Sequence, residues 1–260
     1  MNWEQLNRIA AWFERYCRSF ADGDAEAGKN YDLKELHTRK VRENIRLLAA
    51  SAGLADDRLA LAEAIGLLHD VGRFEQFRRY RTFLDRDSVN HAALGVEVIR
   101  EQGLLDGLPP EQAEIVIQSV RFHNVFTVPA TVTGDGLLYL NLIRDADKLD
   151  IWRVFMEYFE LPPEERASAV GLGFPDTPSC SPEVLACLER SEMVNLSLLQ
   201  SLDDFKLLQL SWVFDLNFPE SFHIAEEQGH IARLAASLPR SAVVERAVAA
   251  VWDYLRTGRT

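Results

Sequence analysis

The chain has 260 residues, 47% hydrophobic and 26% charged, which is ordinary for a soluble globular protein with one sizeable core or one domain plus an appended subdomain. Its net charge of −12 argues against binding a nucleic-acid polymer, although a local basic cluster could still hold a small anionic ligand. Three cysteines without a C-x-x-C pair and apolar runs broken by charges argue against a disulfide framework and a membrane span, so we expect a cytoplasmic protein.

Apolar residues recur at helical spacing over most of the chain. The segment VRENIRLLAASAGL places Val41, Ile45 and Leu48 on one face, and Gly53 follows as a stop signal. Four further helices are predicted. The first begins at a capping Asp57 and runs through Leu68, and the second begins at a capping Asp87 or Ser88 and ends near Gly103. The third covers 109–124 and starts with two prolines at tolerated positions, and the fourth covers 136–159 and is long and mostly buried.

Two segments interrupt this helical pattern. Residues 126–134, FTVPATVTG, alternate like a strand, but their Pro and Gly favour a loop. Residues 167–183 are rich in Gly, Pro and Ser and predict a loop between subregions, after which helices resume. The sequence therefore predicts an all-α protein, with a helical domain over 1–160 and a C-terminal helical extension over 161–260 packed on it.

Four of the six histidines lie one on each successive predicted helix or helix end. They are His37, His69, His91 and His123, and Asp145 in IRDADKLD offers an oxygen ligand from the long helix. A single histidine in such a place is usually an ordinary core or surface residue, but four in series indicate a metal site. Imidazole suits Fe, Zn, Mn or Ni, carboxylate shifts the preference toward Mn, Fe or Mg, and the lack of cysteine ligands disfavours a structural zinc site.

The neighbours His69 and Asp70 impose a geometric condition on that site. Successive residues of an α-helix are rotated by about 100°, so both side chains can reach one metal only near a helix end. Gly72, two residues after the pair, is the predicted end.

The order of these residues resembles the HD-domain superfamily of metal-dependent phosphohydrolases. HTRKV, LLHDVG and RDADKLD carry the resemblance, which covers roughly residues 30–160. It implies an HD-type helical bundle with additional C-terminal helices. It also implies that one metal is held by His37, His69, Asp70 and Asp145, and that Asp70 bridges to a second metal held by His91 and His123. The cyclic-di-GMP phosphodiesterase branch is disfavoured, because the chain has neither adjacent histidines nor the tripeptide GYP.

Basic residues near His69 and Asp70, which we call the HD pair, are candidates for binding an anionic substrate. Residues 71–84 carry four arginines against one glutamate, although the whole chain is acidic. Arg73 is three residues after Asp70, Lys34 is three before His37, and Lys148 is three after Asp145.

A simpler interpretation of these cations stays open. Arginine runs on amphipathic helices are usually solvated faces, and Lys148 can pair with Asp147 or Asp150 on the surface. Those two aspartates can instead orient metal-binding histidines.

Three functional hypotheses follow from the resemblance. The leading one is a phosphohydrolase that acts on a small phosphorylated molecule or nucleotide with two divalent ions, Fe or Mn favoured and Mg, Zn, Co or Ni as alternatives. The second is an HD-type di-iron oxygenase that acts on a small polar substrate with the same donors. The third is a regulatory HD module without turnover, which is disfavoured because none of the six expected ligands is missing.

Overall fold

The computed structural model describes residues 1–21, 23–170, 173–175 and 178–258, and it is all-α, with no strand in these ranges. The helices are α1 Trp3–Arg18, α2 Ala25–Ser51, α3 Asp56–Leu68, α4 Val71–Tyr80, α5 His91–Glu101, α6 Pro110–Phe122, α7 Gly134–Glu160, α8 Pro182–Glu189, α9 Leu202–Ser211, α10 Pro219–Glu227, α11 His230–Ala236 and α12 Ala242–Thr257. Within the described ranges, no helix is long and apolar enough to cross a bilayer.

The chain divides into two compact units. The first contains Met1–Asp150 and Leu161–Val170, and the second contains Ile151–Glu160 and Gly171–Thr260. Helix α7 therefore contributes residues to both. The boundary at residue 160 and the packing of the C-terminal extension remain predictions.

The first unit is built from amphipathic helices around an apolar interior. In α1, Leu6, Ile9 and Phe13 recur at helical spacing and are buried, and a capping box between Asn2 and Gln5 fixes the start of the helix. The largest fully buried apolar side chains of this unit also include Ile45, Leu48, Ile65, Leu67, Leu68, Phe74, Ile99, Tyr139 and Leu140. This packing holds the helices that carry the histidines.

Two predicted helix starts are wrong. Helix α3 begins at Asp56 after Ala55, which makes no side-chain cap, so Asp57 lies inside the first turn. Helix α5 begins later than expected, because the side chain of Asn90 accepts the backbone N–H of Ala93 and caps it. The proline start of α6, the long helix α7 and the non-strand conformation of the 126–133 segment are confirmed.

The HD pair does lie at a helix end, but Gly72 does not make that end. Helix α3 ends at Leu68, and the backbone leaves the helical conformation at Asp70, so α4 begins at Val71 and contains Gly72. A Cβ at Gly72 would overlap the carbonyl oxygen of His91 and lie 2.6 Å from the amide nitrogen of Gly95. Gly72 is therefore needed for the close approach of α4 to α5, which brings His91 toward Asp70.

The second unit has its own core. Leu188, Leu207 and Leu210 are buried, together with Val213 and Val251. The carboxylate of Asp204 accepts the backbone N–H and hydroxyl of Ser181, which joins the start of α8 to α9. The indole of Trp152 donates to the Gln209 carbonyl and joins the end of α7 to α9.

Candidate metal centre

Four buried histidines come together from four helices or their ends. His37 lies within α2, His69 follows the last residue of α3, His91 opens α5, and His123 follows α6. Each is at most 5% exposed. The helix ends matter because neighbouring residues there leave the strict helical rotation, so two adjacent side chains can face one point.

Every one of these imidazoles is oriented through its Nδ1 atom. The acceptors are a carboxylate or a backbone carbonyl, so Nδ1 carries a hydrogen and Nε2 of a neutral ring carries the lone pair. The four distances are 2.8 Å from His37 to Asp150, 2.9 Å from His69 to the Gly66 carbonyl, 2.8 Å from His91 to Asp85, and 2.7 Å from His123 to the Val120 carbonyl.

The four Nε2 atoms face one another in pairs. His37 Nε2 lies 3.4 Å from His69 Nε2, and His91 Nε2 lies 3.1 Å from His123 Nε2. Where both rings are neutral, as those of His91 and His123 are at pH 7, two lone pairs at such a distance repel each other unless a cation is shared between them. A buried arrangement of this kind fits a metal ion, since neutral imidazole nitrogen is a common ligand of divalent metals.

Asp70 lies between the two pairs and directs one oxygen to each. Oδ2 is 3.6 Å from His37 Nε2, and Oδ1 is 3.4 Å from His91 Nε2 and 3.9 Å from His123 Nε2. Two sets of three ligand atoms, each within 4.8 Å of one another, therefore share this carboxylate. We call them the His37 group (His37, His69, Asp70) and the His91 group (Asp70, His91, His123).

Helix α7 adds two carboxylates beside the His37 group. Asp147 Oδ1 is 3.1 Å from His37 Nε2 and 3.7 Å from His69 Nε2, while Asp150 holds the other ring nitrogen of His37. Residues two apart on a helix point about 200° apart, so the face that presents Asp147 is not the face of Asp145. Asp145 is fully buried, and its place in the ligand set remains a prediction.

Sequence reasoning treated Asp147 as an orienting or surface residue and did not name it as a ligand. Asp147 and Asp150 are three apart and share one helix face, and Asp145 shares another with Lys148, but this spacing alone does not show which face meets the histidines.

The predicted cations differ in their positions. Lys34 donates to Asp70 Oδ2 at 2.8 Å, and Arg73 places its Nε 3.5 Å from Asp70 Oδ1. Lys148 donates to the Arg144 carbonyl at 3.4 Å, and its role remains a prediction. The other arginines fit the solvated-face interpretation, since Arg78 and Arg79 pair with Glu75, and Arg81 pairs with Asp24, at exposed positions.

Burial and neighbouring charges set the protonation of the cluster. Burial lowers the pKa of His69, and it lowers the pKa of His91 and of His123 to about 4. Burial and Lys34 act in the same direction on His37, but hydrogen bonds to Asp147 and Asp150 outweigh them and raise the pKa of His37 to about 9. Burial opposes ionisation of Asp70, yet Lys34 and the other cations around it hold its pKa well below the usual range.

Asp85 was not identified from the sequence. It lies in a short 3-10 turn, Asp85–Asp87, between α4 and α5, and it reaches His91 through the fold of that segment. No regular spacing links the two residues, so periodicity gives no signal for the contact.

Comparison with protein families places this centre in a known group. The family model of the HD domain matches residues 36–152, a range that contains all four histidines together with Asp70, Asp147 and Asp150. No curated protein and no solved structure was found to match the chain. The match and the buried His/Asp cluster agree, and we conclude that residues 36–152 of this chain form an HD domain.

Proposed function

We propose that this protein is a metal-dependent phosphohydrolase that cleaves a phosphoester of a small phosphorylated molecule or nucleotide. In this proposal one divalent ion is held by His37, His69, Asp70 and Asp147, and a second by Asp70, His91 and His123. Asp147 thus takes the place that the sequence resemblance gave to Asp145. HD domains commonly belong to metal-dependent phosphohydrolases, which supports the reaction class by analogy.

The observation that carries the proposal is the position of Asp70 between the two histidine pairs. Its two oxygens face different pairs, at 3.6 Å from His37 and 3.4 Å from His91. A carboxylate that binds a single ion has no need of imidazoles at both oxygens. This arrangement is the one expected of a ligand shared by two neighbouring ions.

The charges around the cluster also favour bound divalent ions. Among the described residues, four carboxylates lie beside the histidines, and the cations Lys34 and Arg73 lie beside Asp70. Even with His37 protonated, these groups sum to a negative charge that would repel a phosphate dianion; two divalent ions reverse that sign. The four carboxylates are those of Asp70, Asp85, Asp147 and Asp150.

When bound, the two ions supply Lewis-acid polarisation of the phosphoryl group and lower the pKa of a water to make it a nucleophile. The chain supplies the rest. Asp70 and the four imidazoles fix the positions of the ions, and Asp150 and Asp85 keep His37 and His91 in the tautomer that leaves Nε2 available. Lys34 and Arg73, which both lie beside Asp70, are the cations that would face the phosphoryl oxygens in this proposal.

Nitrogen and carboxylate donors of this kind suit Mn, Fe, Co, Ni and Zn, and they suit Mg less well, because Mg prefers oxygen ligands throughout. We expect Mn or Fe in the active protein. An oxygenase requires a pair of redox-active irons, whereas a hydrolase works with Mn or Co.

The test is a panel of phosphoesters, including 4-nitrophenyl phosphate and nucleoside monophosphates, with the metal-free protein reloaded with Mn²⁺, Co²⁺ or Fe²⁺. We expect phosphate release with Mn²⁺ or Co²⁺ under anaerobic conditions. His69→Gln is expected to abolish this release, and His223→Gln, an exposed histidine in α10, is the matched control that keeps it. Oxygen consumption with iron and no phosphate release would favour the oxygenase, and inactivity with every reloaded metal would favour the regulatory module.

A further inference from the structure

The carboxylate of Asp85 joins three elements that surround the His91 group. It accepts His91 Nδ1 from α5 at 2.8 Å and, through Oδ1, Arg73 Nη1 from α4 at 2.9 Å. Gln76 Nε2, also from α4, donates to the same oxygen at 2.9 Å, and the amide of Asn124 approaches Oδ2 at 3.4 Å. Asp85 therefore receives donors on both oxygens and itself donates to none.

The connecting segment that carries Asp85 is held on α4 by the same side chains. Gln76 is fully buried, and its amide also donates to the Val89 carbonyl at 3.0 Å and to the Ser88 hydroxyl at 2.9 Å. Arg73 Nη1 donates to the Phe83 carbonyl at 2.5 Å. The position of Asp85 is thus fixed by the fold, so this carboxylate differs from a free surface group.

Asp85 holds one nitrogen of His91 and one nitrogen of Arg73, and a second nitrogen of each side chain is directed at the cluster around Asp70. With Nδ1 of His91 held, its Nε2 points toward Asp70 and His123. With Nη1 of Arg73 held, its Nε lies beside Asp70, and its Nη2 has no hydrogen-bond partner among the described residues. The guanidinium is therefore oriented in advance with one nitrogen available to an anion.

From this geometry we propose that Asp85 is a positioning residue that orients His91 toward the second ion and Arg73 toward the phosphoryl group of the substrate. The inference rests on the proposed function, and it deepens that function by coupling metal binding to anion binding through one carboxylate. Asp85 itself touches neither the ion nor the substrate.

The test variant is Asp85→Asn, with Asp87→Asn as its matched control. The introduced amide must place its NH₂ group against an existing donor in either orientation, because both Asp85 oxygens accept hydrogen bonds. Asp87 lies in the same turn, is exposed, and pairs only with its neighbour Arg86 among the described residues. Both variants have the same change of charge and nearly the same location.

Calorimetric titration of the metal-free protein with Mn²⁺ measures the first effect. We expect Asp85→Asn to weaken the second binding event by roughly 10- to 100-fold and to leave the first unchanged, as for other residues that orient a metal-bound histidine. We also expect a higher KM for the phosphoester with a smaller change in kcat, measured at Mn²⁺ concentrations that saturate the variant. Asp87→Asn is expected to match the wild-type protein in both assays.

The tautomer of His91 gives a readout that needs neither metal nor turnover. Long-range ¹H–¹⁵N spectra of the metal-free wild-type protein should show His91 with its hydrogen on Nδ1, and Asp85→Asn should increase the Nε2–H form while the spectra of His69 stay unchanged. An unchanged tautomer with unchanged affinity for the second Mn²⁺ would overturn the inference. A shifted tautomer in a protein that hydrolyses no phosphoester would uphold the role of Asp85 on His91 and refute the proposed function instead.

Discussion

The His37 group and the His91 group contain the same kinds of ligand, but they are held in different ways. The His37 group is supported from helix α7, whose Asp147 and Asp150 flank both ring nitrogens of His37. The His91 group is supported by Asp85 from a connecting segment and by the Val120 carbonyl. Two carboxylates besides Asp70 therefore flank the His37 group, those of Asp147 and Asp150, and one flanks the His91 group, that of Asp85.

This difference shows how one shared carboxylate can serve two unequal ion sites. Proximity to two acidic side chains raises the pKa of His37 to about 9, whereas burial and Arg73 lower the pKa of His91 to about 4. A metal ion at the His37 group gains more charge attraction but must displace a proton. An ion at the His91 group has fewer anionic neighbours and meets no proton at neutral pH.

Asp70→Ala has the largest expected effect, because it removes the ligand that both groups share. We expect metal content to fall from about two equivalents to near zero, and kcat/KM to fall by at least about 1000-fold, since the ions supply several kcal/mol of transition-state stabilisation. Elemental analysis and phosphoester turnover measure the two effects. Asp87→Ala, in an exposed turn, is the control, and Asp70→Ala protein that retains both ions would refute the shared-ligand assignment.

His91→Ala is expected to separate the two groups. It removes one ligand of the second ion and leaves His37, His69, Asp70 and Asp147 in place. We expect one metal equivalent to remain and kcat to fall by roughly 100-fold, because metal sites lose much of their affinity and activity when their ligand set is disturbed. Retention of two equivalents would show that His91 is a packing residue.

The pH dependence of metal binding should differ between the groups. Because the pKa of His37 is raised to about 9, its ring is protonated at pH 7, and an ion entering the His37 group must release that proton. Affinity there is expected to rise about tenfold per pH unit up to pH 9. His91 and His123, with pKa values of about 4, are neutral at pH 7, so affinity of the His91 group is expected to be flat above pH 6 and to decrease only as pH falls toward 4.

Calorimetry of Mn²⁺ binding in two buffers of different ionisation enthalpy checks this prediction by counting released protons. At pH 7, one released proton is expected for the ion that binds the His37 group and close to none for the ion that binds the His91 group. Equal proton release in both steps would contradict the assignment of His37 as a protonated ligand.

The Gly72→Ala variant should give the smallest of these effects and should act on the His91 group alone. The added methyl group would force α4 away from the first turn of α5, where His91 lies, so we expect a loss of about 1–3 kcal/mol in the free energy of unfolding and weaker binding of the second ion. Gly28→Ala in α2, where a Cβ meets open space, is the matched control and should stabilise the protein slightly. Thermal unfolding and Mn²⁺ titration measure both outcomes.

The sequence predicted the helical class and the convergence of four histidines well, because both follow from local periodicity and order along the chain. The helix end at the HD pair was predicted, but its cause was not, since Asp70 breaks the helix and Gly72 serves packing against α5.

Features that depend on tertiary contacts were harder to predict. The choice between Asp145 and Asp147 depends on the rotation of α7 about its axis, and the apolar pattern of a helix buried on most sides does not reveal that rotation. Asp85 reaches His91 through an irregular segment, for which no periodicity exists. Such contacts become visible only once the chain is folded.

Metal content per chain is the most direct test of a two-ion centre around Asp70. The measurement is elemental analysis of protein purified without a histidine tag or chelator, and repeated after reloading with Mn²⁺. We predict about two equivalents per chain. A single equivalent after reloading would contradict the shared role of Asp70 and return His91 and His123 to packing or substrate contact, and no binding at all would contradict the metal centre itself.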